Sequence, residues 1–178
     1  MMCFVKKALR GFARDEAGSM VVPFALWTPV FLGLILSAVE LGTVTVRQTA
    51  LERALDDAVR DLRLDVASDV SHDALKSRIC QGAAILPGCE DMLRLEMVSL
   101  DMRSWSAPPT HADCVDVSQE VNPVRGFYRG GEQAMMLLRA CYKYQPITPA
   151  GTLSSSLAKD DAGYTAIVAA TAFVHEPL

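Results

Sequence analysis

Features that would point to catalysis or to nucleic-acid binding are missing from this sequence. It has no GxSxG, HExxH or phosphate-binding-loop pattern, and its three histidines lie far apart. The net charge is -4, so no overall positive field favours nucleic acid. CxxC pairs and histidines at ligand spacing, which are typical of zinc sites, are also absent. We therefore predict no enzyme activity, no metal, no cofactor and no nucleic-acid partner.

Charge is absent from a long segment near the N-terminus. Residues 20–39 contain no Asp, Glu, Lys or Arg. A helix of this length extends about 30 Å, which matches the hydrocarbon core of a bilayer. A buried soluble helix is rarely uncharged over this length, and a cleavable secretory signal has a shorter apolar run before a small-residue site. The pattern predicts a transmembrane helix over 20–40 after a basic leader over 1–19.

Two prolines fall inside this apolar run. Pro23 lies in the predicted first turn, where a missing N–H costs little. Pro29 lies deeper, and we expect it to kink the membrane helix. Neither proline excludes a span.

The flanking charges predict the direction of insertion. Lys6, Lys7, Arg10 and Arg14 precede the apolar run, whereas acidic residues outnumber basic ones just after it. The positive-inside rule therefore places the N-terminus in the cytoplasm and the C-terminal part in the periplasm of a bacterial inner membrane.

The cysteines support the same direction. Cys80, Cys89, Cys114 and Cys141 all follow the apolar run, as expected for two disulfides in an oxidising compartment. Four cysteines allow three pairings. We favour Cys80–Cys89 with Cys114–Cys141, because the first pair closes a short loop that contains a Pro-Gly turn signal. Calcium bound by the carboxylates on either side of Cys114 is a weaker alternative.

Beyond the apolar run, the helical pattern continues over 41–66. Its apolar positions step by three and four residues, as in a coiled-coil seam. The members of this seam are Leu41, Val44, Gln48, Leu51, Leu55, Ala58 and Leu62. No Gly or Pro interrupts the helix between Thr43 and Ala67, so we expect one helix from about Val21 to Leu64. The seam packs on the chain's own outer domain or, as the less favoured alternative, on the stalk of another subunit.

Residues 67–178 are predicted to form an α+β domain outside the membrane. A helix capped by Ser71 or Asp69 is expected after Ser68, and three strand candidates follow it over Met92–Leu100, Met135–Tyr144 and Tyr164–Val174. The last of these is apolar on both faces, which is typical of a central strand. We expect a small antiparallel sheet packed on the long helix.

The N-terminal third resembles the TadE/TadF-like family of tight-adherence (Tad/Flp) pilus assembly proteins. The resemblance is carried by Phe12–Ser19, by the apolar run with Pro29, by Val39-Glu40-Leu41-Gly42 and by the seam ending near Arg60. Cys141-Tyr142 and Phe173–Pro177 resemble one branch of that family.

The resemblance implies a pseudopilin or minor pilin of a type IVb-like secretion system. It implies cleavage by a prepilin peptidase after Gly18, with Ser19 as the first residue of the processed chain. Pro23 stands where pilin-like proteins carry a glutamate that neutralises a neighbouring subunit's N-terminus. This departure favours an unpolymerised assembly or priming component.

The expected partners are the lipid bilayer and other pilus-assembly membrane proteins or pilin subunits, and the stalk could also join a homo- or hetero-oligomer. A membrane-anchored periplasmic binding or sensory module is the alternative function, and it would require a ligand pocket in the outer domain. A secreted enzyme with an uncleaved leader is the weakest interpretation.

Overall fold

The computed structural model describes residues 20–64, 70–117, 126–128, 130–131, 133–148 and 152–174. In chain order the elements are three helices and two strands, then a further short helix and a last strand. Their bounds are α1 Val21–Leu64, α2 His72–Gly82, α3 Cys89–Met92, β1 Leu93–Leu100, β2 Met135–Tyr144, α4 Thr152–Ser156 and β3 Thr165–Val174. The predicted α+β architecture, with a long apolar helix ahead of a small antiparallel sheet, is confirmed.

Helix α1 is one helix of 44 residues with two different surroundings. In its first half, an 18-residue window of mean hydropathy 2.0 lies entirely outside the protein interior. From Leu51 onward, one side of the helix is buried against the outer domain. The buried residues are Leu51, Ala54, Leu55, Ala58, Val59 and Leu62. The same helix therefore presents apolar surface outward first and into its own core afterwards.

Helix α2 packs across the second half of α1. The Ser71 side chain caps it by accepting a hydrogen bond of 3.2 Å from the Ala74 N–H, which satisfies one of the free donors of the first turn. Leu75 and Ile79 face the core. A Cβ at Gly82 would lie 3.2 Å from the Cβ of Ala54, so two small residues permit the close approach of the helices.

The sheet has the order β1-β2-β3, with both pairs antiparallel. Leu95 lies beside Ala140, which in turn lies beside Ala169, so apolar residues of all three strands share one face. That face packs on α1. Residues 126–128 pair with the outer edge of β1, where the Met97 N–H donates to Gly126 O at 2.8 Å.

The interpretation of Tyr164–Val174 as a central strand is wrong. Strand β2 is central, and β3 forms the edge of the sheet among the strands that the structure describes. On β3, alternate residues from Ala166 to Val174 face outward and are exposed. Three of these five are alanines, which expose little apolar area, so an apolar pattern on both faces does not require burial on both faces.

Replacement of Leu55 by alanine tests the division of α1 into two surroundings. Leu55 is 1% exposed, so Leu55→Ala leaves a cavity and should lower the free energy of unfolding by about 2–5 kcal/mol. Leu41 is 56% exposed, and the control Leu41→Ala should change it by less than about 0.5 kcal/mol. Chemical denaturation of the full chain in detergent measures both, and equal losses would contradict the packing described here.

Candidate functional site: the junction of the apolar helix and the outer domain

Glu40 lies where the surroundings of α1 change. It is the first charged residue after the uncharged run, yet none of its surface is exposed. Its carboxylate accepts hydrogen bonds from the Ile147 N–H at 3.3 Å, the Thr148 N–H at 3.0 Å and the Thr148 hydroxyl at 3.0 Å. The segment after β2 therefore closes over α1 at this level.

These contacts make Glu40 a clasp between the helix and the sheet domain. A buried carboxylate is costly unless it is well hydrogen-bonded, and bonds to a charged acceptor are stronger than those between neutral groups. Since 107 residues separate Glu40 from Ile147, the clasp fixes the position of the outer domain along α1. The sequence showed Glu40 as a charge after the apolar run and as part of the resemblance at Val39-Glu40-Leu41-Gly42. A carboxylate directly beside an apolar run was the one sequence signal that pointed to a special role for Glu40. The sequence did not indicate which residues would bind it.

Two further contacts hold α1 to the sheet about two turns beyond Glu40. The Arg47 guanidinium carbon lies 4.7 Å from the centre of the Tyr144 ring, a cation–π geometry. The Gln48 amide donates to Val168 O on β3 at 3.1 Å and to Glu52 at 2.6 Å. Desolvation by burial raises the pKa of Tyr144, while the nearby Arg47 charge opposes that rise. The ring therefore remains a neutral phenol that can stack under the cation.

Most residues of the predicted seam contact the outer domain, and Leu41 does not share their burial. Those from Leu51 to Leu62 pack in the core, and Val44 packs partly buried against it. Gln48 bonds the edge of β3. Leu41 remains exposed on the outside of the junction.

The disulfides hold the loops around this junction and on the opposite face of the sheet. Cys80 is joined to Cys89 with a Cα–Cα distance of 5.6 Å, and Cys114 to Cys141 with 5.2 Å. This is the pairing that the sequence favoured. The first bridge closes the connection between α2 and α3, and the second ties a long loop to β2.

A buried ion pair lies on the face of the sheet that points away from α1. Glu96 and Arg139 are opposite each other in β1 and β2, and their side chains bond at 2.6 Å. Asp113 accepts from Arg94 at 2.8 Å, and its own N–H donates to Glu96 at 3.3 Å. Asp113 is thus engaged with an arginine, and no cluster of three metal-ligating side chains lies in the described part of the chain.

The remaining predicted site residues are placed as follows. Pro29 lies inside the continuous helix α1, and the kink at this position stays a prediction. Gly18 and Ser19 lie outside the described residues, as does the basic leader. Their processing is taken up below as part of the proposed function.

Comparison with known families bears on the same stretch of chain. A family model described as TadE-like protein matches residues 18–60. Residues 18–60 are TadE-like. The match runs through the apolar half of α1, Glu40 and the first buried turns, so the resemblance seen in the sequence is confirmed there. No curated protein and no solved structure matches the chain.

The TadE-like match and the helix together define the general character of the protein. By length and composition, α1 is the one helix among the described residues that could cross a membrane. A buried soluble helix is excluded as its explanation because the apolar window is wholly unburied. These features indicate a membrane-anchored protein, and they fit a component of a Tad pilus.

Replacement of Glu40 by glutamine tests the clasp. Glu40→Gln removes the charge and turns an NH2 group toward backbone donors, so the unfolding free energy should fall by about 1.5–3 kcal/mol. Amide hydrogen exchange at Ile147 and Thr148 should accelerate, because both N–H groups lose a charged acceptor. The matched control is Glu52→Gln on an exposed turn of the same helix, where a change below about 0.5 kcal/mol is expected. Unchanged exchange at both amides in Glu40→Gln would show that the clasp contributes nothing.

Proposed function

We propose that the protein is a single-pass inner-membrane component of a Tad/Flp (type IVb-like) pilus assembly or secretion system. In this proposal it acts structurally, as a minor pseudopilin or assembly factor. The observation that carries the proposal is the coincidence of the TadE-like match over residues 18–60 with a helix that begins unburied and ends in the core of its own sheet.

The arrangement of α1 supports this role physically. Apolar side chains that face outward over the first half of a helix are stable in lipid and costly in water. The second half is held by the sheet and by Glu40, so the outer domain moves with its anchor as one unit. Such a unit can present the same surface to neighbouring membrane proteins at a fixed height above the bilayer.

Two independent features support an orientation with the N-terminus in the cytoplasm. Lys and Arg are concentrated ahead of the apolar run, and the positive-inside rule retains them in the cytoplasm. The two disulfides lie on the other side of the run, and an oxidising periplasm would preserve them.

We further propose that the chain assists assembly without joining the filament in quantity. Pro23 lies in the first turn of α1, at the position where pilin-like proteins carry a glutamate. Proline cannot form the charge-assisted bond with a neighbouring N-terminus that a glutamate can form in lipid. Cleavage after Gly18 remains part of this proposal, because a cleaved chain can either join a filament or stay in the membrane.

The interaction with other subunits would use the exposed side of α1 near the membrane. Leu41 is exposed although it belongs to an otherwise packed seam, and it lies directly beside the clasp at Glu40. At this height above the bilayer, an exposed leucine can pack against the helix of a pilus-assembly protein or of a pilin subunit.

Deletion of the gene in the source bacterium tests the proposed role. We expect surface filaments to be lost and to return with the wild-type gene. The protein should remain in the membrane fraction after the filaments are sheared off, while the major pilin, as the positive control, moves into the sheared fraction. Normal filaments in the deletion strain would contradict a role in assembly, and a pilin-like amount of the protein in sheared filaments would contradict the unpolymerised form.

A further inference from the structure

Two clefts at the junction meet at Arg47. One is an apolar groove between α1 and the connection from α2 to α3, and it is lined by Val39, Gly42, Val46 and Ile85. The other has a volume of about 330 Å³ and lies between Arg47 and the end of β2; we call it the polar cleft because Arg47 and Lys143 line it, together with Tyr142 and Tyr144. A ligand that occupied both clefts would need apolar surface along its length and a polar group at Arg47.

Arg47 brings a positive charge to the polar cleft. Its Nη1 is buried, and no hydrogen-bond partner for it lies among the residues that the structure describes. The guanidinium carbon lies over the Tyr144 ring, and the Nη1 N–H groups remain available to an acceptor. A buried cationic donor without an acceptor is costly, and an anionic ligand would remove that cost.

The second cation of the polar cleft is already neutralised. Lys143 donates to Asp160 at 2.8 Å, and this bond is the main reason that the pKa of Asp160 is lowered. No carboxylate is among the residues that line the cleft. The cleft therefore suits one negative charge, placed at Arg47.

The apolar groove begins at the membrane. Val39 is the last residue of the uncharged run, and Val46 lies about 10 Å further along α1 at the standard helical rise. Val39, Val46 and Ile85 are each at least half exposed, at 50%, 50% and 56%. A Cβ at Gly42 would meet no atom within 4 Å, so the groove is open along the helix.

The walls of both clefts are held in place by local bonds. The Cys80–Cys89 disulfide closes the connection that carries Ile85. The Tyr142 hydroxyl donates to Pro87 O at 2.6 Å and joins this connection to β2. The clefts are thus preformed and do not depend on a ligand for their shape.

We propose that this junction binds one anionic phospholipid of the outer leaflet of its membrane. The phosphate lies against Arg47 in the polar cleft, and the upper part of an acyl chain follows the groove beside Ile85 into the bilayer. Arginine forms bidentate hydrogen bonds with phosphate, and an apolar groove continuous with the span excludes water from the chain. The inference rests on the proposed membrane anchor and orientation but not on the role in pilus assembly.

Native mass spectrometry of the full chain tests the proposal. The protein is released from mixed micelles that contain equal amounts of phosphatidylglycerol and phosphatidylcholine with the same acyl chains. We expect one retained phosphatidylglycerol in preference to phosphatidylcholine. Arg47→Gln should reduce this preference roughly fivefold, as expected for one basic residue at an anionic surface. Arg53→Gln, which removes the same charge from an exposed position of the same helix, should preserve it.

A second variant separates the lipid from other ligands. Ile85→Ser changes an exposed side chain and should preserve the fold while it weakens retention of both lipids, even if Arg47→Gln does not fold. Excess inorganic phosphate should not displace the lipid, and displacement by it would identify a soluble phosphate as the ligand and overturn the proposal. Equal retention of the two lipids by the wild type, equal effects of Arg47→Gln and Arg53→Gln, or a protein dimer that excludes lipid would overturn it as well.

Discussion

A single unbroken helix that passes from one solvent into another is the constraint on which this structure depends. The backbone of α1 satisfies its own hydrogen bonds throughout, so it can cross lipid and continue into a protein core without a break. The side chains of α1 adapt the helix first to lipid and then to the protein core. They are apolar on every side up to Val39, and from Leu51 they are apolar mainly toward the sheet. Glu40 lies at the start of this change, and its burial by the segment at 147–148 determines the level at which the outer domain begins.

The outer domain fits this constraint because one face of its sheet is apolar and packs on α1, while the charged side chains of the strands lie on the other face. The apolar face covers the second half of α1. Arg139 and Glu96 face the other way, where their pairing and a long loop compensate their burial. The two disulfides then hold the loops that α1 does not contact directly. A domain of this size gains stability from such cross-links because its core is small.

The sequence was sufficient for the elements that rest on local patterns. The bounds of α1 followed from the steps of three and four residues and from the absence of Gly or Pro, and β1 and β2 followed from their alternation. Strand β3 was misplaced in the sheet, because an apolar pattern does not distinguish a central strand from an edge strand rich in alanine. The contacts of Glu40 with Thr148 and of Arg47 with Tyr144 were not predictable, since each joins residues about a hundred positions apart and depends on the assembled fold.

The account rests on α1 carrying the outer domain to the far side of a membrane, and lysine labelling in intact spheroplasts tests this most directly. In a Gly18→Val chain, which keeps its leader, a membrane-impermeant amine reagent should modify Lys76 and Lys159 in the outer domain and leave Lys6 and Lys7 unmodified until the cells are lysed. Peptide mass spectrometry reads all four positions in one sample. Labelling of Lys6 and Lys7 in intact spheroplasts, or protection of Lys76 and Lys159 until lysis, would contradict the account.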